Sequence, residues 1–456
     1  MDFHALLTQI NAIVWGPATL ILLVGTGIYL SFRLGFIQLL RLPLALQLLF
    51  KPANGKGELS SFAALCTALS ATIGTGNIVG VATAIKLGGP GALFWMWVAA
   101  LFGMATKYAE CLLALKFRTT DCHGNIAGGP MYYIEKGLGL GWLAKLFAVF
   151  GVGVAFFGIG TFAQVNAISD AMTIAFDVPA WITAVVLTSL VAAVTLGGVK
   201  RIAAVAQKLV PTMAIGYVVA CLWVLLSASE AIPDAIALVL HSAFNPVAAT
   251  GGFLGAGIAL AIQTGIARGV FSNESGLGSA PIAAAAAKSK EPVEQGLVSM
   301  TGTFFDTIII CTMTGLVLIL TGVWNGDTAG AGMTSAAFSS ATTPLIGQYL
   351  VTVALVCFAF TTILGWNYYG DRCWSYLTKG RWIPLYRWLF LGLIASGTFI
   401  TLDLIWLLAD IVNGLMAIPN LIAIIGLRHL VLAETRSYFQ RLRGCSDEVM
   451  AQADSQ

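Results

Sequence analysis

The chain has 456 residues, of which 58% are hydrophobic and only 10% are Asp, Glu, Lys or Arg, and its mean hydropathy is +0.87. Ordinary soluble domains carry roughly 25% charged residues, so this composition excludes a soluble fold and requires a membrane around much of the surface. The apolar runs are long and continuous rather than alternating, which excludes a β-barrel and points to an all-α polytopic membrane protein; the net charge of +3 suggests no nucleic-acid partner.

In chain order, the opening stretch "MDFHALLTQINAIVWG" has an acid and a His where a secretory signal would be basic. No convincing cleavage site follows, so the first span is expected to be retained. About eleven transmembrane helices are expected, at roughly 10–32, 59–86, 91–115, 141–175, 180–197, 202–228, 253–286, 294–323, 345–369, 383–401 and 403–426. Basic residues cluster in alternate connectors: Arg33, Arg41, Lys51 and Lys56, then Lys116, Arg118 and Lys136, then Lys200 and Arg201, then Lys288 and Lys290, then Arg372, Lys379, Arg381 and Arg387, then the tail. The connectors near 176, 230–252 and 324–344 contain no Lys or Arg, and only Lys86 lies near an outer end. This asymmetry places the N-terminus outside and the C-terminus in the cytoplasm. Trp142, Trp181, Trp324, Trp382 and Trp406 lie near span ends, where aromatic belts sit.

The chain then divides into residues 1–58, an N-terminal transmembrane helix and cytoplasmic connector; 59–228, five helices; 253–426, five more; and 427–456, a cytoplasmic tail. An odd number of helices per half puts the halves in opposite orientation, the arithmetic of an inverted repeat. The first helix of each half carries glycine and polar residues at mid-membrane: "SATIGTGNIVG" (Ser70–Gly80) in one, "IQTGIARGVFSNESGLGSAP" (Ile262–Pro281) in the other. Paired interrupted helices are the sequence pointer to a midplane transport site. A break frees carbonyls on one side and amides on the other, which a cation and a carboxylate can satisfy where lipid cannot. Single packing glycines are the competing explanation.

The expected unwound segment of the first helix is Gly74, Thr75, Gly76 and Asn77; in the second it runs from Gln263, Thr264 and Gly265 through Gly269 to Asn273. Asn77 and Asn273 offer either a carbonyl or an amide, or else bond between helices. Asp306 stands mid-span, where an acid coordinates a cation, carries a proton or pairs with a base such as Arg268. Arg268 and Glu274 suit a gate or inner-vestibule ion pair, or else touch substrate, and Lys107 with Glu110 an intrahelical pair. Gln164 and Asn166 bring amides to the fourth span, Gln164 as a substrate contact or a packing group. Thr361 and Thr362 offer adjacent hydroxyls that suit a hard ion such as Na⁺ or bond back onto their helix. The eight Cys show no metal-ligand or paired spacing, so neither a disulfide framework nor a metal cluster is expected. The four His (His4, His123, His241, His429) fall near ends or loops, which argues against a membrane enzyme. A channel would want a charged ring, and none is visible.

Three segments carry a family resemblance: "GGPGALFWMWVAALFG" (Gly88–Gly103), "GGPMYYIEKGLG" (Gly128–Gly139) and "FSNESGLGSAP" (Phe271–Pro281). The chain resembles the alanine or glycine:cation symporters over nearly its whole length. The resemblance implies a LeuT-like 5+5 inverted repeat preceded by one extra helix, in a bacterial inner membrane. It also implies Na⁺-coupled uptake of alanine, glycine or a similar small neutral amino acid by a monomeric functional unit. Sodium is then the coupling ion and no other cofactor is expected. By matching position, carbonyls of Ser70, Thr72 and Ile73 with the Asn77 side chain would face Na⁺, and amides at Thr75 and Gly76 would meet the substrate carboxylate. The Phe358 and Ile73 carbonyls with the Thr361 and Thr362 hydroxyls would form a second Na⁺ site. Trp366 is implied as a pocket wall or gate, and Gln263 to Gly265 as the lining from the other half. The departure is the longer second segment bearing Arg268 and Glu274. A proton-coupled symporter of the same fold, with Asp306 as carrier, is the alternative.

Overall fold

The computed structural model describes residues 3–52, 55–121, 124–245, 257–399 and 402–453. Among these residues the fold is helical apart from a short antiparallel ribbon, Thr119–Thr120 against Ile126–Ala127. Seven helices are long and apolar enough to cross a membrane: His4–Arg33, Gly91–Lys116, Gly141–Phe176, Gly198–Ser227, Pro292–Leu320, Pro344–Thr378 and Leu407–Gly426. An eighth span is formed if the bent pair Ser61–Thr72 and Gly76–Gly88 is taken together. The three remaining expected stretches hold shorter helices: Ala180–Thr195, Ile258–Asn273 with Ala280–Ala284, and Ile383–Gly397. At 1.5 Å per residue, none reaches the roughly 30 Å of hydrocarbon unaided. The beginning of the expected seventh span at 253–256, His123 and the Trp406 side chain lie outside the described residues.

Two features differ from the expected outline. The stretch 141–175 is two helices, Gly141–Phe157 and Phe162–Phe176, parted at Gly158–Thr161. Two expected outer connectors are themselves partly helical, Ile232–Phe244 and Gly330–Ala341. Each is held by a specific bond to the bundle. Trp95 Nε1 donates to the Ala243 carbonyl at 3.2 Å, and Thr334 Oγ1 to the Ile78 carbonyl at 3.4 Å.

Gly91–Lys116 is the central post. Every residue from Met104 to Leu115 is buried, so this helix has no lipid face along its second half. Neighbours approach it closely through small residues, as suits helices in lipid. A Cβ at Gly27 would stand 2.6 Å from the Phe102 carbonyl oxygen, and one at Gly296 2.8 Å from that of Tyr108. On the outer faces Ile21, Val186, Ile215 and Trp223 are more than half exposed, an apolar surface made for acyl chains. Trp142, Trp181 and Trp382 are likewise exposed at helix ends.

Candidate functional site

The first break is local. Ser61–Thr72 ends when Ile73 turns extended (φ −75°, ψ 93°). A π-helical turn, Gly76–Gly80, restarts the helix with its axis bent by 54°. The amide N–H of Gly74 has lost its helical partner and donates instead to Asn77 Oδ1 at 2.9 Å. The Thr75 N–H donates to Gln164 Oε1 at 3.3 Å, and Gln164 Nε2 donates back to Thr75 Oγ1 at 3.0 Å. Gly74 is required by crowding, because a Cβ there would lie 2.4 Å from Thr362 Oγ1.

That contact brings in the long helix Pro344–Thr378. Thr362 Oγ1 lies 3.3 Å from the Ile73 carbonyl oxygen and 3.0 Å from that of Phe358, and Thr361 Oγ1 lies 2.9 Å from the Phe358 oxygen. Four oxygens from two helices therefore converge beside the break, in the donor chemistry that suits a hard cation. The hydroxyls of Ser70 and Thr72 bond back to the carbonyls of Thr67 (2.8 Å) and Leu69 (3.4 Å) on their own helix.

The second break lies further along than Gln263–Asn273. Ile258–Asn273 is one unbroken helix. It stops where Glu274 (φ +56°), Gly276 (φ +88°) and Gly278 (φ +84°) take left-handed conformations. Asn273 caps the turn, its Oδ1 accepting the Ser275 N–H at 2.9 Å and its Nδ2 donating to Thr307 Oγ1 at 3.0 Å. Glu274 accepts Trp366 Nε1–H at 2.9 Å and the Ser279 hydroxyl.

Asp306 joins the two breaks. It sits in a π-helical stretch, Phe304–Cys311, where the widened turn aims the carboxylate inward. Its Oδ1 accepts Asn77 Nδ2 at 2.8 Å, and its Oδ2 accepts Ser272 Oγ at 2.9 Å and Thr307 Oγ1 at 2.8 Å. Asp306, Asn77, Ser272, Asn273 and Glu274 are all buried.

Several expected groups stand elsewhere. Gln263 and Thr264 face a separate 170 Å³ cavity shared with Asn11, Trp15, Arg268 and Asp410. The Thr264 hydroxyl bonds back to Leu260 at 2.7 Å. Gly265 packs on the central post, a Cβ there meeting the Ala92 oxygen at 2.4 Å. These residues remain helical because Gly265 serves close packing rather than unwinding. Arg268 pairs with neither Glu274 nor Asp306. It forms a two-pronged bridge to Asp410 at 3.1 and 2.8 Å, and Trp15 Nε1 donates to the Asp410 carbonyl at 2.8 Å. Lys107 and Glu110 do not pair: Glu110 takes Asn420 Nδ2 at 2.5 Å, while Lys107 Nζ is buried without a hydrogen-bond partner. Asp410, Ser272 and Thr307 were not singled out by sequence. Asp410 interrupts the apolar run "IWLLADIVNGL" and could have been; a lone Ser or Thr in a span carries no such signal.

Seven or eight apolar spans around a buried polar cluster between two broken helices define a multi-pass membrane protein of the transporter class. The model of the Sodium:alanine symporter family matches residues 1–452, and the chain belongs to that family. It is 62% identical over 445 residues to an uncharacterized transporter of Haemophilus influenzae (97% of this chain, 98% of that one). It is 51% identical over 449 residues to the sodium/alanine symporter AgcS of Methanococcus maripaludis (96% and 98%) and 36% identical over 452 residues to the amino-acid carrier protein AlsT of Bacillus subtilis (98% and 94%). Among solved structures, a mutant manganese transporter of Eremococcus coleocola aligns at TM-score 0.47 and 11% identity, over 85% of this chain and 99% of that one.

Proposed function

We propose that the protein imports a small neutral amino acid, alanine or glycine, together with Na⁺, by alternating access through a LeuT-like 5+5 inverted repeat of residues 59–228 and 253–426. The observation that carries this reading is the convergence of the Ile73 and Phe358 carbonyls with the Thr361 and Thr362 hydroxyls beside the first break. These oxygens hold Na⁺. The Thr75 and Gly76 amides take the substrate carboxylate, which replaces Gln164 Oε1 at the Thr75 N–H. The Asp306 carboxylate, which accepts Asn77 Nδ2, and the Asn77 Oδ1, which accepts the Gly74 N–H, offer oxygen next to that position for a further Na⁺ or for the substrate ammonium. Asn273 and Trp366 close the chamber from the second half. The N-terminus is outside and the C-terminus in the cytoplasm of a bacterial inner membrane, with the monomer as the functional unit. An inward Na⁺ gradient drives uptake, with about 2.3 kcal/mol per charge for each 100 mV of membrane potential.

The placement of Asp306 also favours a second reading, in which this buried carboxylate carries a proton. Uptake of labelled alanine and glycine into proteoliposomes, under an imposed Na⁺ or H⁺ gradient, separates the two. The sodium reading requires accumulation driven by Na⁺ alone. Accumulation driven by H⁺ and indifferent to Na⁺, and abolished in Asp306→Asn, establishes the proton reading instead.

A further inference from the structure

The terminal helix Arg428–Ala453 lies across one end of the bundle. Thr435 bonds Tyr108 at 2.7 Å, Glu434 bonds Lys116 at 2.7 Å, and Arg441 bonds Glu291 at 2.9 Å. Between this helix and the end of the first span is a cavity of about 310 Å³, within the range of ligand pockets, roughly 300–1,000 Å³. Four guanidinium groups line it: Arg33 and Arg41 from the first span and its connector, Arg436 and Arg443 from the terminal helix. No carboxylate lines it, and none of the four makes an ion pair among the described residues. Among the described side chains, three nearby acids are engaged elsewhere, Glu434 by Lys116, Glu294 by Lys51 and Glu291 by Arg441. Arg41 is held in place over the Phe439 ring, 4.6 Å from its centroid. Four guanidinium groups without an ion-pair partner among the described residues repel each other around one hollow, and an anion in the hollow relieves this.

We infer that this cavity binds the phosphate of an anionic phospholipid. Guanidinium forks match phosphate oxygens two at a time. The lipid source follows from position. Arg33 ends a helical stretch long and apolar enough to cross the bilayer, which puts the cavity at headgroup depth. Beside it Phe32, Leu39 and Leu40 are 65%, 54% and 72% exposed, an apolar ledge for the acyl chains. Basic pockets at this depth attract anionic headgroups, with each arginine adding to the affinity.

The test is retention of phosphatidylglycerol by the full-length protein extracted from mixed phosphatidylcholine and phosphatidylglycerol vesicles, read by native mass spectrometry. The wild type keeps phosphatidylglycerol, and Arg436→Gln/Arg443→Gln keeps about tenfold less. The charge-matched control Lys200→Gln/Arg201→Gln keeps as much as the wild type. Equal retention by both double variants overturns the site. A second arm adds inorganic phosphate to protein held in phosphatidylcholine alone. A melting temperature raised by phosphate in the wild type and not in Arg436→Gln/Arg443→Gln, together with phosphatidylglycerol retention equal in the wild type and that variant, assigns the cavity to a soluble phosphate and overturns the lipid. Should the double variant fail to accumulate, the single Arg443→Gln, an exposed position, gives the same readout.

Discussion

Thr362 carries two functions in one hydroxyl. It leans on the Ile73 carbonyl across the first break and on the Phe358 carbonyl of its own helix. Thr361 adds a second hydroxyl at the same carbonyl. Removing both, in Thr361→Ala/Thr362→Ala, deletes two oxygens from the proposed Na⁺ site. At about 1 kcal/mol for each lost ligand, the Na⁺ concentration for half-maximal uptake rises about tenfold to thirtyfold. An unchanged Na⁺ dependence in proteoliposomes would remove these residues from the ion site. The pair stands out in the sequence as adjacent hydroxyls at mid-span in "CFAFTTILGW", but that pattern alone leaves open bonding back onto their own helix, and both hydroxyls do bond the Phe358 carbonyl. The bond from Asn77 to Asp306 was not legible, because the two residues are 229 apart and no local pattern ties them.

At the scale of elements, the two broken helices are unlike. The first breaks over Ile73–Thr75 and recovers through a π turn. The second stays helical through Asn273 and then takes three left-handed residues within five positions, Glu274 to Gly278. The expected break from Gln263 to Asn273 lies too early, because glycine in that stretch serves packing rather than slack. Gly265 is packed against the Ala92 backbone, whereas Gly276 and Gly278 alternate with other residues in "NESGLG", a spacing that suits a turn. Arg268, misjudged as a gate partner of Glu274, ties the second broken helix to Leu402–Gly426 through Asp410. A double-mutant cycle of Arg268→Ala and Asp410→Ala, read by thermal unfolding in detergent, is expected to give a coupling of about 0.5–3 kcal/mol. The double variant should be less destabilised than the sum of the singles, since each single leaves a largely buried charge without its partner. Strict additivity would mean the bridge contributes nothing. If the bridge does contribute, its two-pronged geometry makes Lys a poor replacement for Arg268.

For the whole molecule, the distribution of basic residues predicts which face meets the cytoplasm. Ser437 is exposed on the terminal helix. In a background without native cysteines, Ser437→Cys should resist a membrane-impermeant maleimide in right-side-out vesicles and react after lysis. Labelling from outside would invert the proposed topology and, with it, the direction of import. The class of the molecule was legible at this scale because 58% apolar composition leaves few alternatives. The helical content of the outer connectors was hidden. Ile232–Phe244 and Gly330–Ala341 are too short to register as spans, and their helicity depends on packing against the bundle rather than on propensity.

Asp306 has two carboxylate oxygens, and each serves a different broken helix: one takes Asn77, the other Ser272. A carboxylate is rigid and small, so the two breaks share one short tether. Any motion that draws them apart by more than a hydrogen bond can stretch must surrender a bond to a buried carboxyl group, which is costly to leave unmade. Parting the two breaks therefore costs hydrogen bonds at Asp306, and a ligand that offers the freed oxygen a new partner lowers that cost.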